Sequence, residues 1–138
     1  MYGRIDLSKT NYYLDDEIKL HKPKYEEALR VYTEYCNHKK FDSVYPLYKD
    51  DLNYDVHCFY FNDRLVAFQI TELYVNDKVA FHDQFAWDYS NPKDELGWRF
   101  YYHTCAFYKE RDYSYIYLGD HEPHKSKLCG YEIMGRLK

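Results

Sequence analysis

The sequence predicts a mixed α/β domain in which an antiparallel three-stranded meander is joined by a crossover helix to a further, parallel strand. Two turns of one type, Asn62-Asp63 and Asn76-Asp77, separate three aromatic-rich runs, a pattern typical of antiparallel hairpins. Apolar residues then recur at helical spacing over residues 93–111, which indicates an amphipathic helix. A last strand-like run follows at a distance that suits a crossover connection.

Length and composition fit a globular protein. The chain has 138 residues, of which 46% are hydrophobic and 19 are tyrosines. We expect a single domain over residues 1–138, with tyrosine rings supplying much of its core. The net charge of −4 gives no broad basic field for nucleic acid, so any tRNA contact must be local. Two small basic clusters, Lys125 with Lys127 and His38-Lys39-Lys40, are the places for it.

Cysteine spacing and hydropathy bear on the compartment. The four cysteines are widely spaced, and no apolar run has the length of a signal-peptide core or a membrane span. We therefore expect free thiols and a cytoplasmic protein without a membrane partner. His121, His124 and Cys129 follow one another like metal ligands, but a fourth ligand is missing, so no metal site is predicted.

The N-terminal part is the least regular. Residues 1–20 follow no clear period, although a short strand is predicted near Glu17 to Leu20. Pro23 is predicted to begin a helix, because its missing N–H does no harm in a first turn. A short helix or turn, interrupted by Pro46, is predicted over 42–51. The apolar stripe predicted for the first helix consists of Tyr25, Leu29, Tyr32 and Cys36.

The remaining elements follow from apolar runs between turns. Asn91-Pro92 ends the meander, and the crossover helix runs from about Lys93 to Arg111. Its buried face is predicted to hold Leu96, Phe100 and Phe107. The predicted strands are Tyr54 to Phe61, Leu65 to Val75, Val79 to Asp88 and, parallel to the third, Tyr113 to Leu118.

Strand alternation places four polar residues on one otherwise apolar face of the meander. If both hairpins have two-residue turns, Glu72 and Asp83 become diagonal neighbours roughly 7 Å apart at the backbone. Asp55 and His57 fall on the same face, which completes a polar island. The predicted cross-strand pairs are Glu72 with Phe81, Asp83 with Ile70, His57 with Phe68, and Asp55 with Ile70.

Paired carboxylates of this kind suit proton transfer. A carboxylate that is mostly buried beside another carboxylate has a raised pKa, which lets it act as a general base near neutral pH. Glu72 or Asp83 would then accept a proton from an amine nucleophile. The alternative left open is that these groups lie in water at strand ends or bond a buried tyrosine hydroxyl.

The C-terminal block resembles a known family. Tyr117-Leu118-Gly119 ends the last strand, and Lys127-Leu128 follows about eight residues later. These motifs are similar to the Tyr-Leu-Gly strand end and Lys-Met pair of arginyl-tRNA–protein transferases, in their C-terminal acyltransferase half. That half has the GNAT-type N-acyltransferase fold, whose order of strand, helix, meander, helix and strand matches the predicted one. The resemblance covers roughly Tyr54 to Tyr131.

The resemblance implies an N-acyltransferase that moves an acyl or aminoacyl group from acyl-CoA or aminoacyl-tRNA to a small-molecule or peptide amine. No tightly bound cofactor is implied, and the donor lies between the third meander strand and the last strand. Candidate donor-binding residues are Trp87, Asp88, Leu96, Gly97 and Gly119. Candidate catalytic residues are Glu72 and Asp83 as bases, with Tyr117 and Tyr131 as acids for the leaving group. Candidate substrate-binding residues are His57, His121 and Lys127.

One motif departs from the GNAT pattern. The phosphate-binding loop of that family reads Arg/Gln-x-x-Gly-x-Gly/Ala, and residues 92–97 keep only Gly97. Asp94 and Glu95 would repel a pyrophosphate, so weak or absent acetyl-CoA binding is expected. Leu96-Gly97 resembles the degenerate loop of arginyltransferases, although their N-terminal cysteine-bearing half has no match, so protein arginylation is not implied. The alternative function is a non-catalytic binding domain of this fold that has lost the donor site.

Overall fold

The structure, a computed structural model, describes residues 1–40, 54–89 and 95–135. Within these ranges, seven strands form one mixed sheet and two α-helices pack against its two faces. The elements are β1 (Tyr2–Asp6), β2 (Ile18–Leu20), α1 (Tyr25–Lys39), β3 (Tyr54–Phe61), β4 (Arg64–Tyr74), β5 (Val79–Trp87), α2 (Leu96–Glu110), β6 (Tyr115–Asp120) and β7 (Tyr131–Met134). The strands lie in the order β2-β3-β4-β5-β6-β1-β7, which confirms the predicted mixed α/β fold class.

Strands β3, β4 and β5 form the predicted antiparallel meander. Asn62 and Asp63 have φ values of 52° and 62°, the left-handed conformation that a two-residue hairpin turn requires. The second hairpin turns through residues 75–78, and Lys78 has a φ of 56°. Asparagine and aspartate tolerate this conformation better than other non-glycine residues, which accounts for the first turn. In the second turn the left-handed residue is Lys78, and not Asn76 or Asp77.

Helix α2 connects β5 to β6, and these two strands run parallel, as predicted. Leu96, Phe100 and Phe107 are buried on the sheet-facing side of α2, as predicted. Pairing between the two strands is limited to Val79–Phe81 on β5 and Tyr115–Tyr117 on β6. Because β5 continues to Trp87, the two strands separate beyond this short contact.

The first strand of the chain was not predicted. Strand β1 lies between β6 and β7 and pairs antiparallel with both. Its inward positions are Gly3 and Ile5. Because a glycine occupies one of only two inward positions, the apolar alternation is hidden in the sequence. The strand predicted near Glu17 to Leu20 is β2, an edge strand paired with β3.

Helix α1 presents a different face to the sheet from the predicted one. Tyr25 and Leu29 are 37% and 41% exposed, whereas Ala28 and Val31 are 1% and 0% exposed, so the predicted stripe is wrong at its first two members. Small side chains at the contact let the helix lie close to the sheet. The larger side chains Tyr32 and Tyr35 pack at the edge of this contact.

Three further expectations concern the rest of the chain. The helix or turn predicted over 42–51 lies outside the described residues. All four cysteines are free thiols, and two of them, Cys58 and Cys105, are buried. In the described ranges, no helix combines the length and the apolar character needed to cross a membrane.

Candidate functional site

The separation of β5 from β6 opens a crevice near the middle of the sheet. A cavity of about 560 Å³ lies at this point. The start of α2 forms one wall, with Leu96 and Gly97, and Glu122 and Lys125 of the segment after β6 form another. Tyr35 of α1 reaches the same cavity. The crevice therefore gathers side chains from both helices, from β5 and from the segment that follows β6.

A second, smaller cavity of about 290 Å³ adjoins the first one. Five residues line both cavities, so we treat them as two parts of one crevice that passes along the free edge of β5. The second part reaches Asp83 on β5 and Leu118 on β6. The shared residues are Tyr35, Gln69, Phe85, Tyr101 and Lys125.

Asp83 owes its position to a β-bulge. Glu72 pairs with Phe81 as predicted, but the predicted pairing of Asp83 with Ile70 is wrong. Asp83 is instead the extra residue of β5, and a bulge frees its residue from the hydrogen-bond ladder. Its side chain therefore lies exposed at the crevice. The register passes from the pair Ile70–Gln84 directly to the pair Thr71–His82.

Glu72 and Asp83 influence each other electrostatically. Partial burial, and then the negative charge of Glu72, raise the pKa of Asp83, while a hydrogen bond from Tyr54 opposes the rise. Glu72 is half-buried and Asp83 is exposed, so the expectation that one of them is mostly buried is wrong. The bulge is the reason, because it turns Asp83 out of the packed face and into the crevice.

Asp55 and His57 lie on the face of the sheet opposite to Glu72 and Asp83, so the predicted four-residue polar island does not form. A bulge at Val66 of β4 shifts the first hairpin by one residue. Since the side-chain period of a strand is two, a one-residue shift moves every side chain to the other face. The observed pairs are His57 with Gln69 and Asp55 with Thr71, in place of His57 with Phe68 and Asp55 with Ile70.

His57 belongs to a closed polar cluster under α2, which we call the His57 cluster (Asp55, His57 and Tyr108). The Tyr108 hydroxyl donates to the Asp55 carboxylate at 2.8 Å and accepts from Nε2 of His57 at 2.9 Å. Burial, and then the neighbouring His103, lower the pKa of His57 to about 3. His57 Nδ1 has no hydrogen-bond partner among the described residues. His57 thus lies away from the crevice, against α2.

The two candidate tyrosine acids are engaged elsewhere. The Tyr117 hydroxyl accepts from Arg4 Nη1 at 3.3 Å on the α1 side of the sheet. The Tyr131 hydroxyl lies 2.7 Å from Nδ1 of His121, and the Tyr131 ring packs over Gly3. Tyr131 and His121 thereby fasten β7 to the segment that leaves β6, outside the crevice.

Among the predicted donor-binding residues, Trp87, Leu96 and Gly97 line the crevice. Asp88 does not, because its side chain is 1% exposed and paired with Arg30 at 3.1 Å and with Arg64 at 3.6 Å. Gly119 has a φ of 81° and pairs with Gly3 inside the sheet, so its positive φ serves the strand rather than the crevice.

The lysine in the crevice is Lys125 rather than the predicted Lys127. Lys127 is exposed, whereas Lys125 is 7% exposed. The Lys125 ammonium donates to the Leu118 carbonyl at 3.3 Å and lies 3.6 Å from Glu122 Oε1. Nothing in the sequence distinguishes these two lysines, because a short 3₁₀ helix over Pro123–Lys127 decides which one points inward.

Sequence reasoning also missed Tyr35, Gln69 and Tyr101. Burial, and then the charge of Glu122, raise the pKa of Tyr101 to about 12, and its ring stacks on His82 at 5.2 Å. Gln69 is 3% exposed and donates to the Ile70 carbonyl at 2.8 Å. The available signal was helical spacing for the two tyrosines, since Tyr35 follows Val31 by one turn. For Gln69 the signal was a polar residue inside an otherwise apolar strand.

The start of α2 is also part of the crevice. Glu95 precedes the helix with a φ of 49° and gives no side-chain cap. The first intrahelical bond runs from the Arg99 N–H to the Glu95 carbonyl at 3.2 Å, so earlier N–H groups lack intrahelical acceptors. Glu95 lines the same cavity, and Asp94 lies outside the described residues.

Comparison with known proteins identifies the fold. No protein-family model and no curated protein sequence matches the chain. Among solved structures, an aminoglycoside acetyltransferase from an uncultured soil metagenomic sample superposes with a TM-score of 0.57 at 12% identity, over 83% of this chain and 84% of that one. N-myristoyltransferase of Saccharomyces cerevisiae, solved with bound myristoyl-CoA, superposes with a TM-score of 0.52 at 11% identity, over 86% of this chain and 41% of that one.

A larger similarity score comes from a C-terminal domain assigned to a lysylphosphatidylglycerol synthetase of Agrobacterium fabrum. Its TM-score is 0.63 at 14% identity, over 86% of this chain. This chain spans 45% of the length of that domain. The structural neighbours include GNAT-type transferases, and the present fold is GNAT-like.

Proposed function

We propose that this protein transfers an acyl or aminoacyl group from an activated donor to an amine, and that the reaction takes place in the crevice. The observation that carries the proposal is the separation of β5 from β6 after three paired positions, around a cavity of about 560 Å³. Backbone N–H groups on the free edge of β5 are then available to an acyl carbonyl, whose oxygen gains negative charge during attack.

Asp83 is the proposed general base. It lies at the crevice, and the charge of Glu72 helps to raise its pKa. In the proposed reaction the carboxylate of Asp83 takes a proton from the amine as its nitrogen attacks the acyl carbonyl. Removing this proton is required, because only a neutral amine has the lone pair that forms the new bond.

Tyr101 is the proposed acid for the leaving group, in place of Tyr117 and Tyr131. It lines both parts of the crevice, and its raised pKa of about 12 keeps the hydroxyl protonated at neutral pH. When the bond from the acyl carbon to the donor sulfur or oxygen breaks, the Tyr101 hydroxyl supplies the proton. Lys125, in the same crevice, adds a positive charge that favours the departing anion.

The donor remains either acyl-CoA or an aminoacyl-tRNA, the second being the donor that the arginyltransferase resemblance implies. Glu95 at the start of α2 places a negative charge where a pyrophosphate would need unpaired N–H groups. We therefore expect acetyl-CoA to bind with a dissociation constant weaker than about 10 μM. Calorimetric titration at moderate ionic strength measures this, and tighter binding would show that the Glu95 segment accepts phosphate.

The function is tested by incubating the protein with acetyl-CoA or with charged tRNA and a panel of amines and peptides, and detecting acylated products by mass spectrometry. Asp83→Asn is the matched control, since it keeps the side-chain shape. We expect product from the wild type, and transfer slower by a factor of about 10² to 10⁴ from the variant. Ligand binding without product from any donor would favour the alternative, a non-catalytic binding domain, for which the poor glycine loop at 92–97 is the supporting observation.

A further inference from the structure

An aromatic stack stands at the mouth of the crevice, between the end of β5 and the last turn of α1. The Tyr89 ring stacks with Trp87 at 4.3 Å and 24°, and with His38 at 3.7 Å and 26°. Tyr35 lies nearly parallel to Tyr89 at 6.1 Å. We call Trp87, Tyr89 and His38 the ring stack. Trp87 and Tyr89 line the larger part of the crevice.

The backbone at Tyr89 is strained. Its φ is 61°, a left-handed conformation that costs free energy in a residue with a bulky side chain. Such strain is found at ligand clamps more often than elsewhere. The Trp87 indole N–H is also buried without a hydrogen-bond partner among the described residues, although buried donors are normally paired. Two independent irregularities therefore meet at one place.

The ring stack lies beside a local positive charge. Lys39 lines the cavity and lies 5.8 Å from the Tyr35 ring centroid, and both Lys39 and Lys40 are exposed. The chain as a whole has a net charge of −4, so this basic turn is a local feature. Glu95 occupies the α2 side of the same cavity, which directs an anionic group toward the α1 side.

We propose that the ring stack and Lys39 bind the terminal adenosine phosphate of the acyl donor, with the base stacked on the aromatic rings and a phosphate at the lysine. This inference rests on the proposed function. Aromatic platforms next to lysines bind nucleotides because every base has a π-face and every phosphate a negative charge. Coenzyme A and the CCA end of tRNA both present an adenosine bearing phosphate, so the site fits the chemistry that the two donor classes share.

The experiment compares three probes by calorimetry: coenzyme A, a 5′-phosphorylated CCA trinucleotide, and pantetheine, which lacks the nucleotide. We expect the wild type to bind coenzyme A, the trinucleotide or both at least about tenfold more tightly than pantetheine. Tyr89→Leu removes one ring and should weaken the nucleotide probes about tenfold while leaving pantetheine unchanged. His38→Ala, at an exposed position, should act in the same direction.

Matched controls separate stacking and charge from general damage. Tyr13→Leu alters a tyrosine that is 88% exposed and lines a different cavity from the crevice, so it should leave the affinity for all three probes unchanged. Lys39→Met should reduce the salt dependence of trinucleotide binding, with a logarithmic slope smaller by roughly 0.7. Lys24→Met, at an exposed lysine at the opposite end of α1 from Lys39, should leave that slope unchanged.

The outcomes are distinct. Binding of only one nucleotide probe supports the inference and identifies the donor class. Equal affinity for pantetheine and coenzyme A, with no binding of the trinucleotide, overturns the inference while the proposed function stands. Equal weakening of pantetheine and coenzyme A by Tyr89→Leu also overturns it, because the ring would then only shape the crevice. Failure of all three probes to bind contradicts both the inference and the proposed function.

Discussion

The His57 cluster and the crevice show how the same kinds of side chain acquire opposite roles in one sheet. In the His57 cluster the strands pair fully, α2 covers the surface, and Tyr108 joins Asp55 to His57. At the crevice the strands part, and Asp83 and Lys125 line open space. A polar residue is held by its neighbours where its strand is paired on both sides and covered by a helix. Where two strands separate, a polar residue can contact a ligand.

The difference arises from two bulges. The bulge at Val66 turns Asp55 and His57 toward α2, and the bulge at Asp83 turns that carboxylate toward the crevice. Without them, the predicted register would have placed all four polar residues together. Strand geometry, and not residue type, therefore assigns structural and chemical roles here.

The largest effect is expected at the crevice. Asp83→Asn removes the proposed base and should lower the rate of acyl transfer by a factor of about 10² to 10⁴. Folding should be kept, since Asp83 is exposed and the amide has the same shape. Steady-state kinetics and thermal unfolding are the measurements. Full activity in the variant would exclude Asp83 as the base. A gain in unfolding free energy with no loss of activity would show that Asp83 is an acid that the fold merely tolerates.

The next largest effect is expected in the His57 cluster. Tyr108→Phe leaves the His57 N–H without an acceptor and Asp55 without its donor, at a position that is 1% exposed. We expect a loss of about 2–3 kcal/mol in unfolding free energy, measured by urea denaturation, with kcat unchanged. Tyr102→Phe, at an exposed tyrosine, is the control and should have little effect. A strong loss of kcat in a correctly folded Tyr108→Phe variant would show that the His57 cluster takes part in catalysis together with the crevice.

The His57 cluster should also be sensitive to acid. The pKa of His57 is lowered to about 3 in the folded protein, so below pH 6.5 the unfolded chain takes up a proton that the folded chain refuses. Stability should therefore fall as pH falls from about 6.5 toward 3, by about 2 kcal/mol at pH 5 from this residue. Urea denaturation at pH 7 and pH 5 should show a smaller difference in His57→Gln, while His21→Gln should behave like the wild type.

The smallest effect is expected from Glu72→Gln. Removing the charge of Glu72 should lower the pKa of Asp83, which Glu72 helps to raise. The acid limb of the rate profile should then move to lower pH, because Asp83 stays ionised further into the acid range. Glu110→Gln, at an exposed acid that does not line the crevice, is the control. If the pH dependence of the rate is unchanged in Glu72→Gln, the charge of Glu72 does not influence the ionisation of Asp83.

The fold and the candidate site differ in how far the sequence predicts them. The meander and the crossover helix were predictable, because Asn-Asp turns and the buried residues of α2 are local signals. The bulges were not, since one inserted residue leaves no mark in the apolar pattern. Lys125 was indistinguishable from Lys127, because a 3₁₀ helix orients them. Strand β1 was hidden by Gly3, whose inward position carries no side chain.

The central claim is that the crevice between β5 and β6 holds the acyl donor, and the indole N–H resonances of ¹⁵N-labelled tryptophan test it most directly. The chain has 2 tryptophans, and both Trp87 and Trp98 line the crevice. On adding a stable acyl-CoA thioether or an aminoacyl-CCA amide, we expect both resonances to shift, while ¹⁵N histidine resonances of His57 stay in place. Shifts at His57 with unmoved tryptophans, or no shifts with a donor that supports transfer, would contradict the account.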